Sequence, residues 1–225
     1  MDASTVVEVG VDSHGHTVVR QLRCEAPLLV RVIDEPGPVL HLALVNGAAG
    51  PLGGDTLRFR LHVGAGSHVV VGSVAAAMAQ PGPRGDASAL FIDVVVDDGA
   101  ILEWAPQPMV SVLDSNHRTV SHLTATATSR VTFREGMSLG RHGEPSGLLA
   151  LRQRVVVDGV AVLDHETVFG PGALSGPGAH GDGRTVTSEV VVGDVLPPAG
   201  VELTGRGARA TFHVAPACAL VTTTC

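Results

Sequence analysis

Leu61-His62-Val63-Gly64-Ala65-Gly66-Ser67-His68-Val69-Val70-Val71 lines up with Val94-Val95-Val96-Asp97-Asp98-Gly99-Ala100-Ile101-Leu102-Glu103-Trp104. Each segment is an apolar β-branched run, a tight glycine turn and a second apolar run, and the turn glycines Gly66 and Gly99 stand 33 residues apart. A looser third copy is Val155-Val156-Val157-Asp158-Gly159-Val160-Ala161-Val162-Leu163-Asp164. A recurring strand–turn–strand unit implies stacked β layers, either a sandwich or a β-helix-like coil. The third spacing is irregular, so the pattern is not that of a strict solenoid.

Working outward, period-2 alternation dominates. His122 to Phe133 places Leu123, Ala125, Ala127, Val131 and Phe133 on one face and reads as one half-buried strand. Thr56–Val63, Ala89–Val96, Arg152–Val157 and Thr185–Val192 also read as strands. Helical periodicity is scarce. The best candidate is Ser73–Ala79, which opens on a capping-type serine and stops before Pro81. The expectation is an all-β fold with few short helices. Loops are marked by Glu35–Pro38, Asn46–Gly54, Gln80–Gly85 and Gly170–Gly183. No stretch separates differently composed halves, so residues 1–225 read as one domain.

Composition removes several function classes. All 15 basic residues are arginine, and tyrosine is absent. Without lysine there is no Walker-A loop, pyridoxal Schiff base or kinase site. Five Phe and one Trp are too few for a base-stacking platform. A net charge of −7 argues against nucleic-acid and anionic-membrane partners. Cys24, Cys218 and Cys225 form no C-x-x-C pair, which suits a reducing compartment. The N-terminal residues lack a signal-peptide pattern, and no apolar stretch is long enough to span a bilayer. The expectation is a soluble cytoplasmic protein.

Most candidate sites read more simply as structure. Gly170–Gly183 is a surface loop rather than a phosphate cradle. His14 and His16 lack the nearby glutamate of a cupin-type metal site, since Glu25 is nine residues beyond His16. Cys218, Cys225 and His213 match no zinc spacing. There is no G-x-S-x-G elbow, and Ser175 has no neighbouring base. Two segments hold charge that structure alone does not demand. Leu102-Glu103-Trp104-Ala105-Pro106-Gln107-Pro108 joins the only Trp to a carboxylate and two ladder-breaking prolines. Gly140-Arg141-His142-Gly143-Glu144 presents three polar side chains on a bend.

In order along the chain, Gly53-Gly54-Asp55, Val63-Gly64-Ala65-Gly66, Ser73-Val74-Ala75-Ala76-Ala77, Leu102–Pro108 and Gly140–Glu144 resemble the UreD/UreH family of urease accessory proteins. The resemblance covers Pro27 to Phe169. It departs from the family at Met78-Ala79-Gln80-Pro81, where lysine and tyrosine are usual, and at the C-terminus, which lacks a helical tail.

The resemblance implies a β-rich, non-catalytic scaffold or metallochaperone. It would join the helical accessory protein UreF and the nickel GTPase UreG to urease apoprotein. It would assist nickel insertion during urease maturation, with nickel in transit and no stably bound cofactor. On that basis Asp55, Glu103, Trp104, Pro106, Pro108, Arg141 and Glu144 are candidate partner-binding or passage-lining residues. Gly53, Gly54, Gly140 and Gly143 shape turns, with Asp55 capping amides, and His142 and Glu103 are candidate transient nickel contacts. The alternatives are an all-β metal-dependent enzyme of the cupin type, a β-helix carbohydrate lyase, or a pure protein-interaction module.

Overall fold

The structure is a computed structural model that describes residues 1–33, 36–173, 183–204 and 207–225. Ser175, Glu35 and most of the Gly170–Gly183 loop lie outside the described residues. Two sheets face each other. The first is seven-stranded and runs β14 (Val160–Phe169), β13 (Leu148–Val157), β11 (Asn116–Ala125), β8 (Ser88–Val96), β5 (Thr56–Val63), β1 (Asp2–Val11), β2 (Thr17–Arg23). The second is eleven-stranded and runs β16 (Gly200–Thr204), β17 (Gly207–Ala215), β18 (Cys218–Thr224), β15 (Thr185–Val192), β12 (Arg130–Leu139), β9 (Ile101–Trp104), β6 (His68–Ser73), β4 (Leu40–Asn46), β3 (Leu28–Val32). Two short strands, β7 (Met78–Ala79) and β10 (Met109–Ser111), attach beside β12.

The centre is a β-helix-like coil. β1, β5, β8, β11 and β13 are parallel, as are β4, β6, β9 and β12. The chain crosses from the first sheet to the second through three equivalent four-residue arches, 64–67, 97–100 and 126–129. Each is closed by the same backbone bond: Ser67 N–H to Gly64 O, Ala100 N–H to Asp97 O and Ser129 N–H to Thr126 O, all 3.1 Å. It returns through longer connections, residues 74–87, 105–115 and 140–147. Antiparallel strands flank the coil on both sides.

Three sequence expectations are corrected. His122–Phe133 is not one strand but the end of β11, an arch and the start of β12. This third arch has no glycine. Ser129 Oγ donates to Thr126 O at 2.7 Å and Thr128 Oγ1 donates to Asp98 Oδ1 at 2.9 Å, so hydroxyls stabilise the bend. The third strand–turn–strand copy, Val155–Asp164, is not an arch. It is an antiparallel hairpin within the first sheet, turning at Asp158 and Gly159 with φ of 48° and 77°.

Ser73–Ala79 is not helical, and no helix occurs among the described residues. Its backbone is claimed from outside. Val110 N–H donates to Ala77 O and Val112 N–H to Ala79 O, while Ser73 Oγ accepts from Gln107 N–H rather than capping its own segment.

Inward-facing side chains form two buried apolar clusters. The larger contains Phe59, Trp104 and Phe133 among many Val and Leu residues. Trp104 stacks on Phe133 and tilts against Phe59, with ring centroids 5.3 Å apart in both pairs. The smaller contains Met137, Leu139, Leu149, Leu151, Phe169 and Val186.

Candidate functional site

Apart from Val63–Gly66, which lies in the first arch at the opposite end, the motifs that carry the resemblance gather at one end of the coil, because the long connections stack there. Gly53 N–H donates to Gln80 O and Gln80 N–H to Pro51 O. β7 pairs with β10, and Leu113 N–H donates to Glu144 Oε1 at 3.0 Å. Residues 47–55, 74–87, 105–115 and 140–147 thus form consecutive tiers.

Within the first tier, Gly53 packs so closely on Asp86 O and Gly82 N that a Cβ could not fit, and Gly54 has φ of 92°. Asp55 precedes β5 and caps as expected: Oδ2 accepts from Leu52 N–H and Oδ1 from the Met1 ammonium, both at 2.9 Å. Burial pushes its carboxyl up, but these bonds outweigh it and hold the group below its ordinary value.

Glu103 and Trp104 point to opposite faces, as neighbours on a strand must. Glu103 is exposed on the outer face of the second sheet, with Oε1 3.1 Å from His68 Nε2. Trp104 is 1% exposed, and its Nε1 has no hydrogen-bond partner. In the last tier Arg141 Nη2 and Glu144 Oε2 form a 2.7 Å ion pair. The Arg141 bonds come first among the causes that hold Glu144 down at about 2. Arg184 Nη2 donates to Leu139 O and Glu144 O at 2.6 and 2.7 Å, so Gly140–Glu144 is pinned to β15. Gly140 and Gly143 both have positive φ, 82° and 76°. His142 is exposed, and neither it nor Glu103 belongs to a metal-type cluster among the described residues. His14 and His16 sit in a turn capped by Asp12. The three cysteines are free, and burial pushes the Cys218 thiol up to about 11.

The prolines have a consequence for the interior. β9 pairs with β12 only as far as Trp104 opposite Phe133, and β10 resumes with Met109 opposite Met137. Between them, residues 105–108 make no ladder with β12. Pro106 and Pro108 have no N–H to offer, and Pro108 occupies the space a Cβ on Gly136 would need, with Cγ only 2.9 Å away. A cavity of about 100 Å³ opens at this break. Ala75, Ala77, Pro106 and Gln107 contribute to its lining, as do Trp104 and Glu135.

Sequence reasoning missed Glu135. It lies between the sheets, 6% exposed, two residues beyond Phe133. Ser121 Oγ donates to its Oε1 at 2.7 Å and Gln153 Nε2 to its Oε2 at 2.8 Å. Ser188 Oγ in turn donates to Gln153 Oε1 at 2.5 Å. The four residues form a polar seam between the two apolar clusters. Burial pushes the Glu135 carboxyl up to about 7, against the pull of its two donors, and no cation contributes. His165, in register with Gln153 on β14, has a buried Nδ1 without a partner, and burial lowers its pKa. The signal was present in the alternation. Val131, Phe133, Met137 and Leu139 share one face of β12, and Glu135 falls on that face. Gln153 does the same among Leu149, Leu151, Val155 and Val157.

The described residues form a two-sheet coil with a polar seam between its apolar clusters, and no group of His, Cys, Asp and Glu among them is placed to hold a metal ion. The family model described as UreD urease accessory protein matches residues 3–223. Urease accessory protein UreD 3 of Streptomyces griseus subsp. griseus is 36% identical over 92% of this chain and 83% of its own length. Urease accessory protein UreD of Streptomyces coelicolor is 36% identical over 98% and 88%. Urease accessory protein UreD 1 of Saccharopolyspora erythraea is 32% identical over 96% and 90%. The chain belongs to the UreD family of urease accessory proteins. The match extends beyond Pro27–Phe169 to both flanks of the coil. No helix among the described residues is long and apolar enough to cross a membrane.

Proposed function

We propose that this chain is a non-catalytic scaffold and metallochaperone of urease maturation, acting in the cytoplasm as one domain over residues 1–225. It joins the helical accessory protein UreF and the nickel GTPase UreG to urease apoprotein, and nickel crosses it in transit.

The observation that carries this reading is Glu135. A carboxylate buried between two sheets without a cation is costly. Held by neutral donors beside a break in the sheet, it offers a divalent ion one charge and a few oxygens. Such a set suits a borderline ion that must leave again. Trp104, Pro106 and Pro108 shape the wall of this route. Asp55, Arg141 and Glu144 hold the tiers around it, and exposed Glu103 and His142 are positioned for contacts at the surface.

The test is urease activation in cells lacking the native accessory gene, complemented with wild type or Glu135→Gln. The isosteric variant is expected to bind UreF normally and to lower activation at least about tenfold. Wild-type activation would remove the passage reading. Catalytic turnover by the purified chain, with a single tight metal site, would favour a cupin-type enzyme instead.

A further inference from the structure

We infer that the Gln153 side-chain amide is the switch of the polar seam, turning over when a divalent cation occupies Glu135. The inference rests on the passage reading above and assigns it a moving part.

In the arrangement seen, every hydrogen bond runs toward the carboxylate. Ser188 Oγ–H donates to Gln153 Oε1, Gln153 Nε2–H donates to Glu135 Oε2, and Ser121 Oγ–H donates to Glu135 Oε1. This polarity stabilises the empty seam. It opposes a cation, because the positive end of the Gln153 amide faces the place the ion would take. Ser121, Gln153 and Ser188 are 2%, 1% and 4% exposed, so bulk solvent does not compete for these bonds.

Ser121 and Gln153, which bond to Glu135, and Ser188, which bonds to Gln153, can each reverse direction without backbone movement. A terminal amide torsion is broad and nearly two-fold. Turning it by half a revolution puts Oε1 beside the carboxylate and Nε2 beside Ser188 Oγ. A serine hydroxyl both donates and accepts, so Ser188 then accepts the amide N–H and Ser121 turns its lone pairs to the ion. No covalent bond changes, and the Gln153 amide keeps a partner at each end, the ion at Oε1 and Ser188 Oγ at Nε2. The loaded seam presents the Glu135 carboxylate, the Gln153 carbonyl and the Ser121 hydroxyl, all oxygen donors. When the ion leaves, the amide turns back and closes the site. A fixed carboxylate at 153 would hold the ion instead of releasing it.

The experiment measures binding of Ni²⁺, added as its chloride, to the purified full chain by titration calorimetry. Release is followed by rapid mixing with a chelator. Glu135→Gln tests the passage reading and is expected to weaken binding more than about tenfold. Gln153→Met keeps the volume but removes the acceptor and is expected to weaken binding about tenfold. Gln153→Glu is expected to tighten binding and to slow release by about the same factor. Thermal melts identify any variant that fails to fold, and either Gln153 variant alone suffices for the test. If Glu135→Gln loses Ni²⁺ while folded Gln153 variants bind and release it as wild type does, the switch is overturned and the passage reading stands. If Glu135→Gln also binds as wild type does, the passage reading itself fails.

Discussion

Two neighbouring layers of the interior are built on opposite principles. Phe59, Trp104 and Phe133 make a stack that is almost fully buried, with ring carbons meeting across the sheets. One inward position further along β12, Glu135 meets Ser121 and Gln153 through hydrogen bonds. The first layer stabilises by removing apolar area from water. The second forgoes that gain, and a well-packed apolar set would serve stability equally well or better. What stability does not require is what the proposed passage would use, and the difference can be broken from either side.

The largest effect is expected from the apolar layer. Trp104→Ala removes the central ring of the stack and is expected to destabilise the chain by about 3–5 kcal/mol, read from the denaturation midpoint. Trp104→Phe should recover much of this, because Nε1 has no partner to lose. A loss of activation with full stability in Trp104→Ala would mean that the ring belongs to the passage more than to the core.

These two layers also show what was legible in the sequence. The β class followed from period-2 alternation, and two arches followed from Gly66 and Gly99. The third arch was hidden because Thr126-Ala127-Thr128-Ser129 carries the alternation straight through the bend, and its support comes from Asp98 on the preceding coil. Local pattern cannot report a hydroxyl bonding to a residue 30 positions away. The same limit misread Ser73–Ala79, whose backbone partners lie on another tier. Of the site, Trp104, Pro106 and Pro108 stood out by composition. Glu135 did not, because reading the strand only as far as Phe133 left it unseen, and Gln153 did not, because starting its strand at Arg152 left out Leu149 and Leu151, which mark its face as the inner one.

The second effect is a pH dependence. The Glu135 pKa is raised from 4.5 to about 7 in the folded chain. A raised carboxyl contributes stability that is full below the unfolded value and is lost as pH rises through the folded one. Between pH 4.5 and about 7, wild type should therefore lose stability relative to Glu135→Gln, by up to about 3 kcal/mol. Comparison with that variant is essential. His117, lowered to about 4 by burial, acts in an overlapping window with the opposite sign. Denaturant melts of both chains at pH 4.5, 6 and 8 measure the difference, and a constant gap would show that Glu135 is ionised in the fold at every pH.

The smallest effect is expected at the surface end of the comparison, where charge is paired and wet. Arg141→Ala removes an ion pair whose arginine side chain is 58% exposed, and should shift the thermal midpoint by at most about 2 °C. Glu144→Ala should shift it further, because Glu144 also receives the Leu113 amide and so ties two connections together. Glu144 is held down at about 2, so its contribution is present above its unfolded pKa of 4.5 and fades as pH falls toward 2. That is opposite in sign to Glu135, as expected for one carboxylate held by a cation and another buried without one. If Arg141→Ala nonetheless abolishes UreF binding with the midpoint unchanged, the bend is a partner contact. If Glu144→Ala lowers both in proportion, its role there is to hold the last tier in place.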